Sequence, residues 1–381
     1  MRHKKTILAW VFMLAGALAL SVGLYFSPER AWLNLLLNAV YYVTLSLSAV
    51  FFLALHYVSG AKWSEVLRKI PEAVSVYLPV GGFMILLVTF GAHFLFHWSH
   101  HDVIAQDPIL LGKSGYLNIP FYIARLVVII GLWSFFAWKL RQNSRKQDAT
   151  LDIFYFKKNI FVSVIFLFFM GYSLTLASTD WIMSLEPHWY STIFGIYNFS
   201  GLFVNGLAVI TLIAIYLKQK NLLPEINENH FHDLGKYLFA FTTFWAYIWF
   251  CQFVLIWYAN IPEETVYYYK RLNNNWDWLF YLNFAMNFVV PFFMLLPRST
   301  KRNTAILARV CILLLVGRWL DLYLLMSPGV LHDNPSIGVL EVVVSLGFAA
   351  LFIQVVGGYL MKHKLLPCSS VVLEESLHHH Q

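Results

Sequence analysis

The chain reads as an all-α polytopic membrane protein, and three observations lead there. Hydrophobic residues fill 59% of its 381 positions and charged residues only 12%, about half the charged share of a soluble domain. The mean hydropathy is +0.62. The apolar residues are gathered into runs of about twenty or more, each long enough to cross the hydrocarbon of a bilayer as one helix.

About ten such spans follow in order, at roughly Thr6–Phe26, Ala31–Ser59, Val74–Trp98, Ile119–Leu140, Ile160–Met183, Ser191–Leu217, Leu234–Asn260, Trp276–Leu296, Thr304–Met326 and Ile337–Met361. Arg2, Lys4 and Lys5 precede the first run, which is longer than the apolar part of a secretion signal and is expected to remain as a helix. Between the second and third spans, Ala61–Ala73 is expected to lie as a short interfacial helix. Trp63, Val66, Leu67 and Ile70 would then face lipid, with Lys62, Arg68 and Lys69 toward headgroups. The end of the chain, Pro367–Gln381, is expected to be a mobile tail.

Ten crossings bring both termini to one side. Twenty lysines and arginines fall on that side and four, Arg30, Lys113, Lys270 and Arg271, on the other. That bias predicts cytoplasmic termini. It also accounts for the formal charge of +7 without a nucleic-acid partner; the lipid bilayer is the partner that composition implies. The loops His97–Asn118, Ser178–Tyr197, Ile261–Asn275 and Ser327–Ser336 face outward on this reading. Ser178–Tyr197 is the most distinctive, a polar turn holding Asp180, Glu186 and His188 among Trp181, Trp189 and Tyr190. Indole and phenol rings favour the headgroup level, so a helix–turn–helix at one membrane face is expected there.

Cys251, Cys311 and Cys368 are far apart with no Cys-x-x-Cys spacing, which argues against an iron–sulfur cluster, a zinc site or a covalently attached haem in this chain. His56 and His93 fall near opposite faces, a poor arrangement for a bis-histidine haem. No phosphate-binding glycine motif is present. Any redox cofactors are therefore expected on other subunits, with none in this chain.

Ionisable groups inside a membrane are costly and need a partner or a pathway. His93, Arg125, Asp180, Arg318, Asp321 and Glu341 fall in the outer half by depth. Arg318 and Asp321 are three apart on one helix and can pair. Asp180 or Glu341 is expected to balance Arg125. Asn205, Thr242 and Asn283 are polar groups at mid-depth that can hold water or bond neighbouring helices. Two chemistries fit these residues besides plain ion pairing. One is a proton path. The other is a quinol pocket around His93 and Asp180, since quinol oxidation releases protons to a nearby base. An independent secondary transporter is a third possibility; such proteins pair broken helices in both halves, and Pro79, Gly81 and Gly82 have no clear counterpart beside Pro291.

The run Thr-Asp-Trp-Ile-Met-Ser-Leu-Glu-Pro-His-Trp-Tyr-Ser-Thr-Ile-Phe-Gly-Ile-Tyr from Thr179 resembles the large membrane subunits of bacterial alternative complex III. These belong with the NrfD and polysulfide-reductase membrane anchors. Trp-Tyr-Ala-Asn-Ile-Pro-Glu-Glu-Thr at Trp257–Thr265 is similar to the same subunits. Of the two related large subunits, the chain looks more like the shorter one than like its quinol-binding relative. The resemblance implies a first helix in 1–30, a four-helix bundle in 31–190, a second in 191–336, a last helix in 337–364 and a tail in 365–381. It implies a place in the inner membrane of a bacterium, in a complex that oxidises menaquinol or ubiquinol. The implied partners are a related quinol-binding membrane subunit, periplasmic iron–sulfur and multihaem cytochrome c subunits, and in some cases a terminal oxidase.

Overall fold

A computed structural model describes residues 2–273, 275–332, 335–366 and 371–378; Cys368 lies outside them. The described residues are helical with no strand. Nine helices among them are long and apolar enough to cross a membrane, so the chain is a multi-pass helical membrane protein.

In chain order the long helices are α1 (Arg2–Phe26), α2 (Pro28–Ser59), α3 (Lys69–Leu95), α4 (Ile119–Thr150), α5 (Ile153–Trp181) and α6 (Phe194–Gln219). Then follow α7 (Glu228–Ala259), α8 (Asp277–Leu295), α9 (Thr304–Leu331) and α10 (Val339–Lys362). The nine counted above leave out α9, a 28-residue helix that carries Arg309, Arg318 and Asp321.

Sequence chemistry sets the ends. Asn118, Asp152, Asn227 and Asn303 each accept backbone N–H groups at the start of α4, α5, α7 and α9. Such caps satisfy donors that the first helical turn leaves unpaired. Helix α8 widens into a π-turn at Ala285–Val289. Pro291 follows; it has no N–H to give the carbonyl of Asn287 and its ring crowds that carbonyl, so the turn opens.

Helix α2 is the hub. In its most apolar stretch 94% is buried by protein, against 11% for α1. It packs on α3, α5, α6 and α9; α4 packs on α3 and α5, α7 on α6 and α8, and α8 on α9. Helix α1 lies along α10, where Gly16 and Gly347 let the backbones meet: a Cβ on either would stand 2.9 Å from the other's Cα.

Two expectations are corrected. The segment after α2 is a 3₁₀ helix, Lys62–Leu67, running into α3, and it is not laid open to lipid. Val66, Leu67 and Ile70 are fully buried, and Arg68 and Lys69 are only 3% and 5% exposed. The reason is that α4 continues to Thr150 and brings Ser144, Gln147 and Asp148 over the segment. Lys69 lies 2.6 Å from Asp148 and 3.1 Å from Glu72, Arg68 3.1 Å from Glu65, and Arg68 also pairs with Asp148. The tail is the second correction. Val371–Leu377 is a helix docked on Lys62–Leu67: Ser376 Oγ donates to the Trp63 carbonyl at 2.6 Å and accepts from the Val66 N–H at 3.2 Å. Lys62 and Glu375 pair beside it at 2.6 Å, an exposed contact of small energetic weight.

Candidate functional site

At the aromatic end of the molecule the turn after α5 runs through Met183–Leu185 and reaches α6 at Phe194. Its Glu186 turns inward to the short helix Pro262–Leu272. Arg271 donates to Glu186 at 2.7 Å and to the carbonyls of Leu324 and Leu325 on α9, both at 3.0 Å. Lys270 lies 3.5 Å away on the same carboxylate. Burial raises a carboxyl's pKa, but here Arg271 and Lys270 outweigh it and hold Glu186 below its ordinary range. The Arg271 guanidinium also lies 3.4 Å from the centre of the Tyr267 ring, which stacks on Trp189 at 3.9 Å. The sequence places Glu186 in the aromatic belt but points to no partner for it.

Beneath this pair is a cavity of about 20 Å³, room for one water molecule. Tyr197, Gln252, Tyr267, Arg271, Asn283 and Asp321 all line it. Asp321 takes a charge-assisted hydrogen bond from Arg318 one helical turn away, a second from the Tyr197 hydroxyl, and a third from Asn283 Nδ2 at 3.0 Å. Arg318 reaches on to Asn198 Oδ1 at 3.0 Å, leaving its Nε without a protein partner. A Cβ on Gly201 would lie 2.5 Å from Arg318 Nη1, so glycine is what admits the guanidinium. Gln252 Oε1 is likewise buried and unpartnered.

Asn205 and Thr242 are both fully buried, with Asn205 Oδ1 accepting from Tyr41 at 3.3 Å. Asn205 Nδ2 and Thr242 Oγ1 have no protein partner. On the same two helices the rings of Phe203 and Phe241 meet at 4.4 Å. A polar train therefore runs from Glu186 through Arg271 and the cavity to Asp321, Arg318 and Asn198.

The other candidates go elsewhere. Asp180 balances Arg125 through two bonds, 2.7 and 3.0 Å, and the third nitrogen of Arg125, Nη1, donates to the Tyr116 carbonyl at 2.9 Å. Glu341 instead takes Arg30, at 2.6 and 2.5 Å, together with Asn34 at 2.9 Å. His93 is exposed and bonds Ser99 at 3.2 Å, while its carbonyl bonds His100 at 2.8 Å. His93 and Asp180 thus have separate partners and differ in burial.

A hollow at this end measures about 460 Å³ and is lined by Glu186, Trp189, Tyr267 and Lys270 with His97, His188 and His332. His97 is held below the usual histidine range by burial and by the neighbouring histidines and Lys270. His188 meets Asp107 at 2.5 Å, and Lys113 donates to the Pro187 carbonyl at 2.6 Å, which fastens the loop before α4 to the turn before α6.

No family model matches the chain, and no curated protein matches its sequence.

Proposed function

We propose that the chain is a membrane subunit of a bacterial respiratory quinol-oxidising complex of the alternative complex III kind, and that it conducts protons. On this reading it crosses the inner membrane ten times in two four-helix bundles flanked by α1 and α10, with both termini in the cytoplasm. It would carry no cofactor and would anchor iron–sulfur and multihaem cytochrome c subunits beside a related quinol-binding subunit.

The observation that supports it is the polar train. Arg271, Asp321, Tyr197 and Asn283 line a water-sized cavity, and Glu186 pairs with Arg271 at its edge. Buried polar groups around such a space are the arrangement a proton relay needs, because water and hydroxyls pass a proton by small rotations. Arg318, Tyr197 and Asn283 together hold the Asp321 carboxylate beside that space.

A second reading is favoured by the 460 Å³ hollow, whose size and lining of aromatic rings and histidines suit a quinol ring. The quinol site would then lie there and not between His93 and Asp180. The transporter reading has less support: α3 is broken toward its two ends, at Ser75–Tyr77 and Thr89–Gly91, and α8 in its middle at Ala285–Val289, which are not matching positions.

Gentle detergent extraction from the native membrane, with mass spectrometry and a reduced-minus-oxidised spectrum, tests the reading. Co-purifying multihaem and iron–sulfur proteins with quinol oxidation activity are expected. A lone, colourless, monodisperse chain would sink it.

A further inference from the structure

At the end opposite Glu186, where α2 meets the Lys62–Leu67 turn, there is a second water-sized cavity of about 20 Å³. His56, Tyr57, Glu65 and Arg68 line it, and Ala61 and Lys62 stand at its rim. Two of its buried atoms, His56 Nε2 and Arg68 Nε, lack a hydrogen-bond partner on the protein, and Glu65 Oε1 has only its ion-pair contact with Arg68 Nη1 at 3.1 Å. The histidine is the most telling. His56 Nδ1 sits 2.7 Å from the Phe52 carbonyl, which only accepts, so Nδ1 carries the hydrogen. In the neutral ring Nε2 is then a bare acceptor that needs a donor. Arg68 Nε is a donor that needs an acceptor. A water molecule meets both needs at once, and the cavity holds one.

Glu65 faces Arg68 at 3.1 Å, with Lys69 and Glu72 on α3 and Asp148 on α4 as its other charged neighbours, and Tyr57 and His56 across the cavity on α2. Arg68 and Lys69 are shared among three carboxylates, because Lys69 and Arg68 also bind Glu72 and Asp148. Glu72 takes a further hydrogen bond from Ser144, while Glu65 has no such donor. Glu65 is thus the least satisfied of the three. Burial, with Glu72 and Asp148 adding to it, raises its carboxyl above the ordinary range.

We propose that this cavity is a hydrated proton-exchange site in which one bound water joins His56 Nε2 and Arg68 Nε to Glu65, and Glu65 takes up and releases the proton. On release the carboxylic O–H bond breaks and the proton forms a new O–H bond on the bound water. That water passes a proton outward past Lys62 and Ala61, and no electron moves. The site deepens the proton-conducting reading and rests on it only for its role in the complex; its chemistry stands on the cavity.

Infrared titration of the intact complex in nanodiscs, in H₂O and D₂O, tests it without turnover. A carboxylic-acid C=O band that titrates above the ordinary carboxylate range, shifts in D₂O and is absent in Glu65→Gln is expected. His56→Phe, which removes the ring nitrogen, is expected to move that midpoint by about half a unit or more, the equivalent of one hydrogen bond. It also keeps the test alive if Glu65→Gln fails to assemble. A band unchanged by Glu65→Gln, or a midpoint unmoved by His56→Phe, overturns the proposal. A titrating Glu65 in a complex that moves no protons overturns the conducting reading alone.

Discussion

Two buried arginine–aspartate pairs, one in each half of the chain, use the same chemistry to different ends. Arg125 and Asp180 join α4 to α5 through two parallel bonds, and the guanidinium is covered by Tyr116 at 3.8 Å and Phe121 at 4.3 Å. Each nitrogen of that arginine has an acceptor, and two rings cover it. The pair is a clasp. Arg318 and Asp321 lie on one helix, so their bond joins nothing by itself. Asp321 is instead the meeting point of Tyr197 on α6 and Asn283 on α8, beside a cavity with room for water. A buried ion pair serves as structure where its lone pairs and donors are all spoken for, and is open to proton exchange where some face a polar space.

The contrast predicts a graded set of effects. Arg125→Ala leaves Asp180 buried and unpaired and is expected to cost about 3–5 kcal/mol, read as lost thermal stability in detergent. Asp321→Asn removes the charge and leaves one acceptor oxygen, so either Tyr197 or Arg318 meets an amide N–H₂. Arg318 keeps Asn198, and a smaller loss of about 2–3 kcal/mol is expected, with quinol oxidation kept on the proposed reading. If the clasp variant proves the milder of the two, the distinction between them is wrong. Gly201→Ala pushes a methyl into Arg318 and is expected to cost about 1–2 kcal/mol by the same assay, with no effect on the Arg125 clasp.

The smallest effect is that of pH on Glu186. Its folded pKa lies below its unfolded value, so the stability it contributes is present above the ordinary glutamate range and is lost as pH falls through the folded value. Acidification below about pH 4 is expected to loosen Pro262–Leu272 first, as faster amide exchange there than in α4. Equal loosening of both would place the Glu186 contact among incidental surface pairs.

Much of this architecture is legible along the sequence because each span is a local apolar run of a fixed minimum length. The start of α4 at Ile119 and the polar turn after Asp180 both stand where expected. What the sequence leaves open is contact between distant residues. Arg125 has two candidate partners on different helices, and only packing chooses Asp180 and sends Glu341 to Arg30. Glu186 and Arg271 stand on separate loops, and nothing local links them. Arg68 and Lys69 look like headgroup-facing charges until α4 is seen to run on over them. Glu65 is silent in the sequence for the same reason, since its meaning lies in a cavity shared with α2.

The most direct test of the central claim is quinol-driven proton movement in proteoliposomes containing the whole complex with Asp321→Asn. Retained quinol oxidation with proton translocation lost or sharply reduced is the predicted result. Translocation at the wild-type ratio of protons to electrons would contradict the claim that the Asp321 network carries protons, and would leave it, like the Arg125 clasp, a structural tie.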